Sequence, residues 1–208
     1  MYALYYQPFA CSYAVHAALE KTGQPFALHR VNLLAGEQQT EAFLAINPQG
    51  QVPVLQFEGE TLTQAGAILL RLSELHPEAS LMPDPSSPLR NSALKALFYL
   101  SSTLHPAFAV LFHPERTSNS ARDEVKAMSL ERVKVQLRYV DGVFDEHTYC
   151  TGEHPFAPDY LLLAILNWCR LFQISLDAFP NIKRFVNAMN ELAEVKKASM
   201  TESQAMVT

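Results

Sequence analysis

The feature that most constrains the fold is the stretch at residues 47–55, which reads Asn-Pro-Gln-Gly-Gln-Val-Pro-Val-Leu. Asn-Pro followed by Gln-Gly predicts a turn. Residues 54–57 then predict a short strand that pairs with residues 60–62. Pro53 stands at the start of this strand, where it has no N–H for the ladder. A cis bond before it would turn the backbone of Val52 outward as a docking edge for an extended peptide, whereas a trans bond gives an ordinary turn into an edge strand.

The hydrophobic pattern alternates strands and helices on both sides of this stretch. Strands are predicted at residues 2–6 and 26–31, with a helix over residues 11–22 between them. A short helix at residues 41–46 precedes the turn, and a longer helix at residues 64–76 follows the hairpin. The first three elements form a βαβ unit with a right-handed crossover. The whole order, β-α-β-α-β-β-α, is that of a thioredoxin-like domain.

The second half of the chain has a different pattern. Residues 77–88 hold four prolines among acidic and serine residues, which is the composition of a linker. Only helices are predicted beyond it, at residues 89–112, 122–147 and 157–172, with one or two closing helices after Pro180. Pro106 lies inside the first of these helices and predicts a kink. We therefore expect an α/β plus all-α protein: a thioredoxin-like domain at residues 1–76, a linker, and a helical-bundle domain at residues 89–208.

Composition excludes several classes of protein. The chain has 208 residues, of which 49% are hydrophobic, so it can bury one large core or two smaller ones. A net charge of −5 without a basic block argues against a nucleic-acid partner. No signal-peptide pattern opens the chain, and the longest strongly apolar run, residues 160–166, is too short to span a bilayer. Three widely spaced cysteines suggest neither a disulfide framework nor a metal site. A cytoplasmic protein without a membrane partner is expected.

Cys11 and Ser12 stand where the first strand passes into the first helix. A helix N-terminus carries free N–H groups and a partial positive charge, which stabilise a thiolate. The alternatives are a helix cap for Ser12 and a half-buried small residue for Cys11. A dithiol motif would need a second cysteine where Ala14 stands, so two-cysteine exchange is excluded, while one-cysteine exchange with a small thiol remains open.

Asn-Pro-x-Gly-x-Val-Pro-x-Leu after a βαβ unit, together with Pro-Phe-Ala-Cys-Ser at residues 8–12, resembles the glutathione transferases, and most closely the bacterial cysteine-type (beta-like) members. The resemblance covers the whole chain and is strongest over residues 1–76 and 101–116. It implies a cis bond before Pro53 and a backbone pairing of Val52 with the cysteine of glutathione. The glutathione-binding residues that it implies here are Gln51, Val52 and Pro53.

For the catalytic residues, the resemblance implies that Cys11 lies beside the glutathione sulfur and that Ser12 donates to the thiolate. A histidine matching His105 faces the cleft between domains in these relatives, where it can polarise an electrophile or carry a proton. The alternative for His105 is a partly exposed helix histidine. Phe9, Phe108 and Phe112 are candidates for the apolar wall of the second-substrate pocket, with core packing as the alternative for Phe108 and Phe112.

The chain departs from the family pattern at the start of the third helix. There the family places an acid that holds the γ-glutamyl ammonium, followed by a hydroxyl or amide residue that holds the carboxylate. Gln64 and Ala65 occupy these positions. We expect a loss of about 1–3 kcal/mol, or on the order of 10–100-fold in glutathione affinity. Three alternatives stay open: neighbours such as Thr63 compensate for the lost contacts, the protein binds glutathione poorly, or its natural ligand is a different molecule.

A second departure concerns folding. The family caps its central helix with Ser or Thr and closes the capping box with an Asp three residues later. Asp159 is present, but Phe156 stands at the cap, at a cost of about 0.5–2 kcal/mol that Pro158 in the first turn partly offsets.

The resemblance implies a glutathione transferase that conjugates the glutathione thiolate to small hydrophobic electrophiles. Glutathione would be a co-substrate, with no permanently bound cofactor and no metal, and the protein would form a homodimer. Two alternatives stay open. In the first, Cys11 is the nucleophile of a one-cysteine, glutathione-dependent thiol–disulfide oxidoreductase. In the second, Gln64 and Ala65 mark a non-catalytic binding protein that retains the fold.

Overall fold

The computed structural model describes residues 1–206. Its first part contains a four-stranded sheet in the order β2-β1-β3-β4. Strands β1 and β2 are parallel, while β3 is antiparallel to both β1 and β4. The strands are β1 (Tyr2–Tyr6), β2 (Phe26–Arg30), β3 (Val54–Phe57) and β4 (Glu60–Thr63). Together with three helices, α1 (Ser12–Thr22), α2 (Glu41–Leu44) and α3 (Ala65–Leu75), they confirm the predicted thioredoxin-like order.

The centre of the sheet is apolar because its middle strands are covered on both faces. Leu4 and Leu55 lie opposite each other in β1 and β3, and both are completely buried. Helix α1 is buried along most of its length because it packs against α3 on one side and against helices of the second part on the other. The first helix therefore lies between the sheet and the helical part, and its N-terminus opens at the junction between them.

The second part is built from helices, as predicted, and within the described residues its only β-pairing is an isolated bridge between Tyr149 and Gly152. Its helices are α4 (Arg90–Tyr99), α5 (His105–Phe112), α6 (Arg122–Val143), α7 (Ala157–Leu166), α8 (Pro180–Asn190) and α9 (Ala193–Ala205). Helix α7 is buried on all sides, as its continuous apolar sequence predicts, but it ends at Leu166 and continues as a 3₁₀ turn, Asn167–Arg170. Residues 207 and 208 of the predicted second domain lie outside the described residues.

The segment between α3 and α4 is packed against the protein, although its composition predicts a linker. Leu81 is completely buried, and Met82 is nearly so. The carbonyl of Leu81 accepts a hydrogen bond from the backbone N–H of Ala157 at 2.6 Å, at the first residue of α7. These apolar residues stand between the prolines and fasten the connection to the core helix.

The predicted kink near Pro106 takes the form of a π-helical turn, Leu100–Leu104, between α4 and α5. Proline has no N–H to donate to the preceding turn, so the helix widens just before it. Two hydroxyls bond carbonyls one turn back: Ser101 donates to Leu97 and Ser102 donates to Phe98, each at 2.8 Å.

The combined helix Arg90–Phe112 is long and apolar enough to cross a membrane by length and composition, and it is the one helix among residues 1–206 that is. The sequence pattern did not indicate this, because its apolar residues are interrupted by polar ones. One face of this helix is buried, including Leu97, Leu104 and Phe108. Core helices of soluble proteins share this length and composition.

Asp159 lies in the first turn of α7 and closes half of a capping box. Its carboxylate accepts hydrogen bonds from the backbone N–H groups of Cys150, at 2.7 Å, and Phe156, at 2.8 Å. Phe156 has no side-chain oxygen to return a bond, as the sequence predicts. Burial raises the pKa of Asp159 to about 6, against the lowering effect of these two hydrogen bonds.

Candidate active site

A cavity of about 320 Å³ opens between the start of β3, the N-terminus of α3 and helix α4. It brings together most of the residues that the sequence singled out. The predicted residues that line it are Cys11, Gln51, Val52, Pro53, Gln64, Ala65 and His105. Four predicted residues do not line it: Ser12, Phe9, Phe108 and Phe112.

The backbone at Val52 has the cis geometry that the sequence analysis gave as one of two alternatives. The Val52–Pro53 peptide bond is cis. The carbonyl oxygen of Val52 accepts a hydrogen bond from the Cys11 thiol, with 3.4 Å between sulfur and oxygen. No acceptor within residues 1–206 is bonded to the Val52 N–H. The residue therefore presents a main-chain donor and acceptor to the cavity, next to a thiol.

Cys11 is half-buried at the N-cap position of α1. The sequence predicts that the helix N-terminus stabilises its thiolate, but the structure gives the opposite balance. Burial raises the pKa of the Cys11 thiol to about 11, and hydrogen bonds from the backbone N–H groups of Cys11 and Ser12 only partly counteract it. At neutral pH Cys11 is therefore a neutral thiol, which donates a hydrogen bond to Val52.

Ser12 is completely buried and lies away from the cavity. Its hydroxyl donates to the carbonyl of Gln7 at 3.1 Å and accepts from the N–H of Gln7 at 3.2 Å. The predicted donation from Ser12 to a glutathione thiolate is not possible in this arrangement, because the hydroxyl proton is used inside the turn. The side chain instead closes the turn between β1 and α1.

Phe9 also has a different place from the predicted one. Its ring packs on Tyr13, with 5.6 Å between ring centres, and not on the cavity. Its backbone has a positive φ of 56° and is held from both sides by the helical part. The Phe9 N–H donates to Glu202 of α9 at 2.6 Å, and the Phe9 carbonyl accepts from the Trp168 indole at 2.9 Å. The turn that carries Cys11 is thus positioned by residues far along the chain.

Glu202 links this turn to a second buried group. Its other oxygen lies 2.8 Å from Nδ1 of His16, and both side chains are completely buried. Burial raises the pKa of Glu202, against the lowering effect of its bonds to His16 and Phe9. Sequence periodicity shows His16 as one more residue of α1, and it contains no signal for a partner 186 residues away.

His105 lines the cavity from the helical side. Its ring lies 5.2 Å from the ring of Trp168, and burial lowers its pKa. A neutral imidazole can donate one hydrogen bond and accept another. Phe108 is completely buried, and Phe112 packs edge-on against Trp168 on the outer side, so both support the His105 segment and neither meets the cavity.

Sequence reasoning missed part of the cavity wall. Leu97, Phe98 and Ser101 line it one and two helical turns before His105. This spacing follows from residues three and four apart sharing a helix face, so extending the stripe back from His105 could have found them. The other lining residues that the sequence did not single out are Asn47, Gln49, Thr63, Gly66, Ala67, Leu70 and Leu161.

The polar end of the cavity lies at the start of α3. Gln64 precedes the helix with φ of 70°, and its amide nitrogen donates to the side-chain oxygen of Gln49 at 3.4 Å. Ala65 offers a backbone N–H and no hydroxyl. Gly66 is close to the helical part: a Cβ added there would lie 2.8 Å from the hydroxyl of Ser101. Among residues 1–206, no group of three or more His, Cys, Asp or Glu side chains is placed to hold a metal ion.

Two family models match the chain, one on each part. Residues 2–74 match the model described as "Glutathione S-transferase, N-terminal domain". Residues 99–193 match the model described as "Glutathione S-transferase, C-terminal domain".

Individual proteins are similar over nearly the whole length. The glutathione S-transferase GstA of Escherichia coli O157:H7 is 31% identical over 202 residues, covering 96% of this chain and 98% of that protein. The crystal structure of a glutathione transferase homologue from Sulfitobacter with bound glutathione has a TM-score of 0.91 at 30% identity, covering 97% of this chain and 98% of its own. A bacterial beta-class glutathione S-transferase from Sphingomonas chungbukensis has a TM-score of 0.86 at 31% identity, covering 96% and 98%.

Proposed function

This chain belongs to the glutathione transferase family, and from that premise we propose that it transfers the thiolate of glutathione to small hydrophobic electrophiles in the cavity beside Cys11. Glutathione is its co-substrate, and the family relationship does not favour the two alternatives, a one-cysteine oxidoreductase and a non-catalytic binding protein. The observation that carries the assignment of the site is a neutral thiol beside an outward-facing backbone edge, in one cavity with a histidine.

The Val52 edge supports a place for the cysteinyl part of glutathione. A peptide in extended conformation exchanges two main-chain hydrogen bonds with such an edge. Gln51 and Pro53 flank it in the cavity wall. Docking against Val52 supplies its carbonyl with a new donor, which frees the Cys11 thiol to turn toward the incoming sulfur.

Cys11 acts as a hydrogen-bond donor in this proposal and does not form a bond to carbon. Because burial raises its pKa to about 11, it keeps its proton at neutral pH and can donate a hydrogen bond to a neighbouring glutathione thiolate without charge repulsion. The N-terminus of α1 adds a partial positive charge on the same side. Both effects favour the ionised form of glutathione, which then attacks the electrophile.

The helical side of the cavity supports an apolar second-substrate site. Leu97, Phe98 and Leu161 provide its walls, and His105 stands beside them. A neutral His105 can donate to an oxygen or halogen-bearing group of the electrophile as negative charge develops there. The sequence analysis predicted a wall of Phe9, Phe108 and Phe112. In this proposal the wall consists of Leu97, Phe98 and Leu161.

The assembly and location follow the family in this proposal. We assign the chain to a homodimer in the cytoplasm and retain the division into residues 1–76, a connecting segment at 77–88 and a helical domain from residue 89. Size-exclusion chromatography with light scattering measures the mass, and a mass near that of one chain would overturn the dimer.

A conjugation assay with glutathione and an aryl halide tests the function. We expect the wild-type protein to catalyse the conjugation. His105→Asn should lower kcat/KM by about tenfold or more relative to wild type and leave KM for glutathione unchanged. His113→Asn is the matched control, because His113 lies at the end of the same helix, is half exposed and does not line the cavity. No turnover by wild type at millimolar glutathione, or equal activity of the two variants, would contradict the proposal.

A further inference from the structure

The wall of the cavity carries no fixed charge. Among the lining residues, all within 1–206, there is no Asp, Glu, Lys or Arg. Besides the Cys11 thiol and the His105 imidazole, the polar side chains of the wall are amides and hydroxyls. These uncharged polar residues are Asn47, Gln49, Gln51, Thr63, Gln64 and Ser101.

Glutathione brings three charges to this wall: one carboxylate at each end and an α-ammonium beside one of them. The free N–H groups at the start of α3 suit either carboxylate, because a helix N-terminus attracts negative charge. The ammonium has no comparable partner. Whichever end of the tripeptide lies at α3, the residues of this chain that line the cavity offer the ammonium only neutral acceptors.

Gln64 is the acceptor best placed to decide this preference. It stands directly before α3 in a positive-φ conformation that L side chains rarely adopt, and its side chain is exposed to the cavity. Its amide nitrogen is bonded to Gln49, which leaves its amide oxygen as an uncharged acceptor. A hydrogen bond from an ammonium to a neutral oxygen is weaker than one to a carboxylate, because one of the two charges is missing.

We propose that Gln64 makes the cleft indifferent to the α-ammonium of its thiol co-substrate, so that the protein uses glutathione and also the glutathione derivative that lacks the amine. This inference rests on the proposed function, because it concerns the same cleft. The thiol beside Cys11, the peptide backbone along Val52 and the carboxylates supply the recognition, and none of them changes when the amine is removed.

Isothermal titration calorimetry with two thiols tests the proposal. The second thiol is glutaryl-cysteinyl-glycine, which is glutathione with hydrogen in place of the ammonium. For wild type we expect dissociation constants within about threefold of each other. For Gln64→Glu we expect tighter glutathione binding and a preference for glutathione of about tenfold or more, because a carboxylate now faces the ammonium.

Gln56→Glu is the matched control. Gln56 lies on β3, bonds Thr61 with its amide nitrogen and does not line the cavity, so this variant receives the same charge elsewhere and keeps the wild-type ratio. The ratio for wild type decides the proposal even if a variant fails to fold. A wild-type preference for glutathione of tenfold or more overturns it and leaves the proposed function intact. Failure of wild type to bind either thiol at millimolar concentration overturns both.

Discussion

Cys11 should react with alkylating agents as an unactivated, half-buried thiol. In the structure its pKa is raised from 9.0 to about 11, because the sulfur is desolvated between the first helix and the Val52 edge. Thiolate is the reactive form, so the pH dependence of alkylation measures this pKa directly. The measurement also decides whether Cys11 can serve as the nucleophile of a disulfide-exchange enzyme.

The expected size of the effect follows from two opposing terms. Because the pKa of Cys11 is raised from 9.0 to about 11, the fraction of Cys11 present as thiolate at pH 7 falls about 100-fold. A thiolate of higher pKa is intrinsically more nucleophilic. With a Brønsted coefficient of about 0.4–0.5, the rate constant of the thiolate itself rises roughly eightfold between a pKa of 9.0 and one of about 11. The net expectation is a rate about tenfold below that of an ordinary cysteine at pH 7, before any loss of access.

The assay is iodoacetamide labelling at a series of pH values, followed by mass spectrometry of the peptide that contains Cys11. The logarithm of the rate should rise with unit slope from pH 7 to at least pH 10. Labelling of an unfolded sample supplies the reference rate for the same peptide. A plateau below pH 8, or a rate at pH 7 above the unfolded reference, would show a stabilised thiolate and refute the donor role proposed for Cys11.

Three further perturbations test the packing around the site. Asp159→Ala should lower the free energy of unfolding by about 1–3 kcal/mol, measured by urea denaturation, because two part-buried N–H groups lose their acceptor; a loss below about 1 kcal/mol would contradict this. Gly66→Ala should raise KM for glutathione and cost about 1–3 kcal/mol, since the new Cβ would lie 2.8 Å from the hydroxyl of Ser101, and adding Ser101→Ala should restore both values; absence of rescue would refute the contact. Glu202→Ala should lower kcat/KM together with stability, because the N–H of Phe9 loses its partner, and unchanged kinetics would show that this bond does not position the turn.

The sequence predicts the architecture well, because local periodicity and turn chemistry determine it. The stretch at residues 47–55, the strand alternation and the change to helical spacing after residue 88 all reappear in the structure. The cleft residues Gln51, Val52, Gln64 and Ala65 come instead from the resemblance to the glutathione transferases, whose motifs mark these positions, and all four line the cavity.

The details of the site depend on contacts that no local pattern contains. The pKa of Cys11 is set by burial against a residue 41 positions away, so its helix-terminal position alone predicts the wrong direction. Ser12 turns inward because the β1–α1 turn needs its hydroxyl at Gln7. Phe9 is held by an acid 193 residues later, and only the folded chain brings the two together.

Trp168 gives the protein an internal spectroscopic reporter. It is the single tryptophan of the chain, so all indole fluorescence arises from one position. That position bridges the two domains, with the indole N–H on the carbonyl of Phe9 and the ring beside His105. The emission maximum should therefore follow the separation of the helical domain from the Cys11 turn, without any attached label.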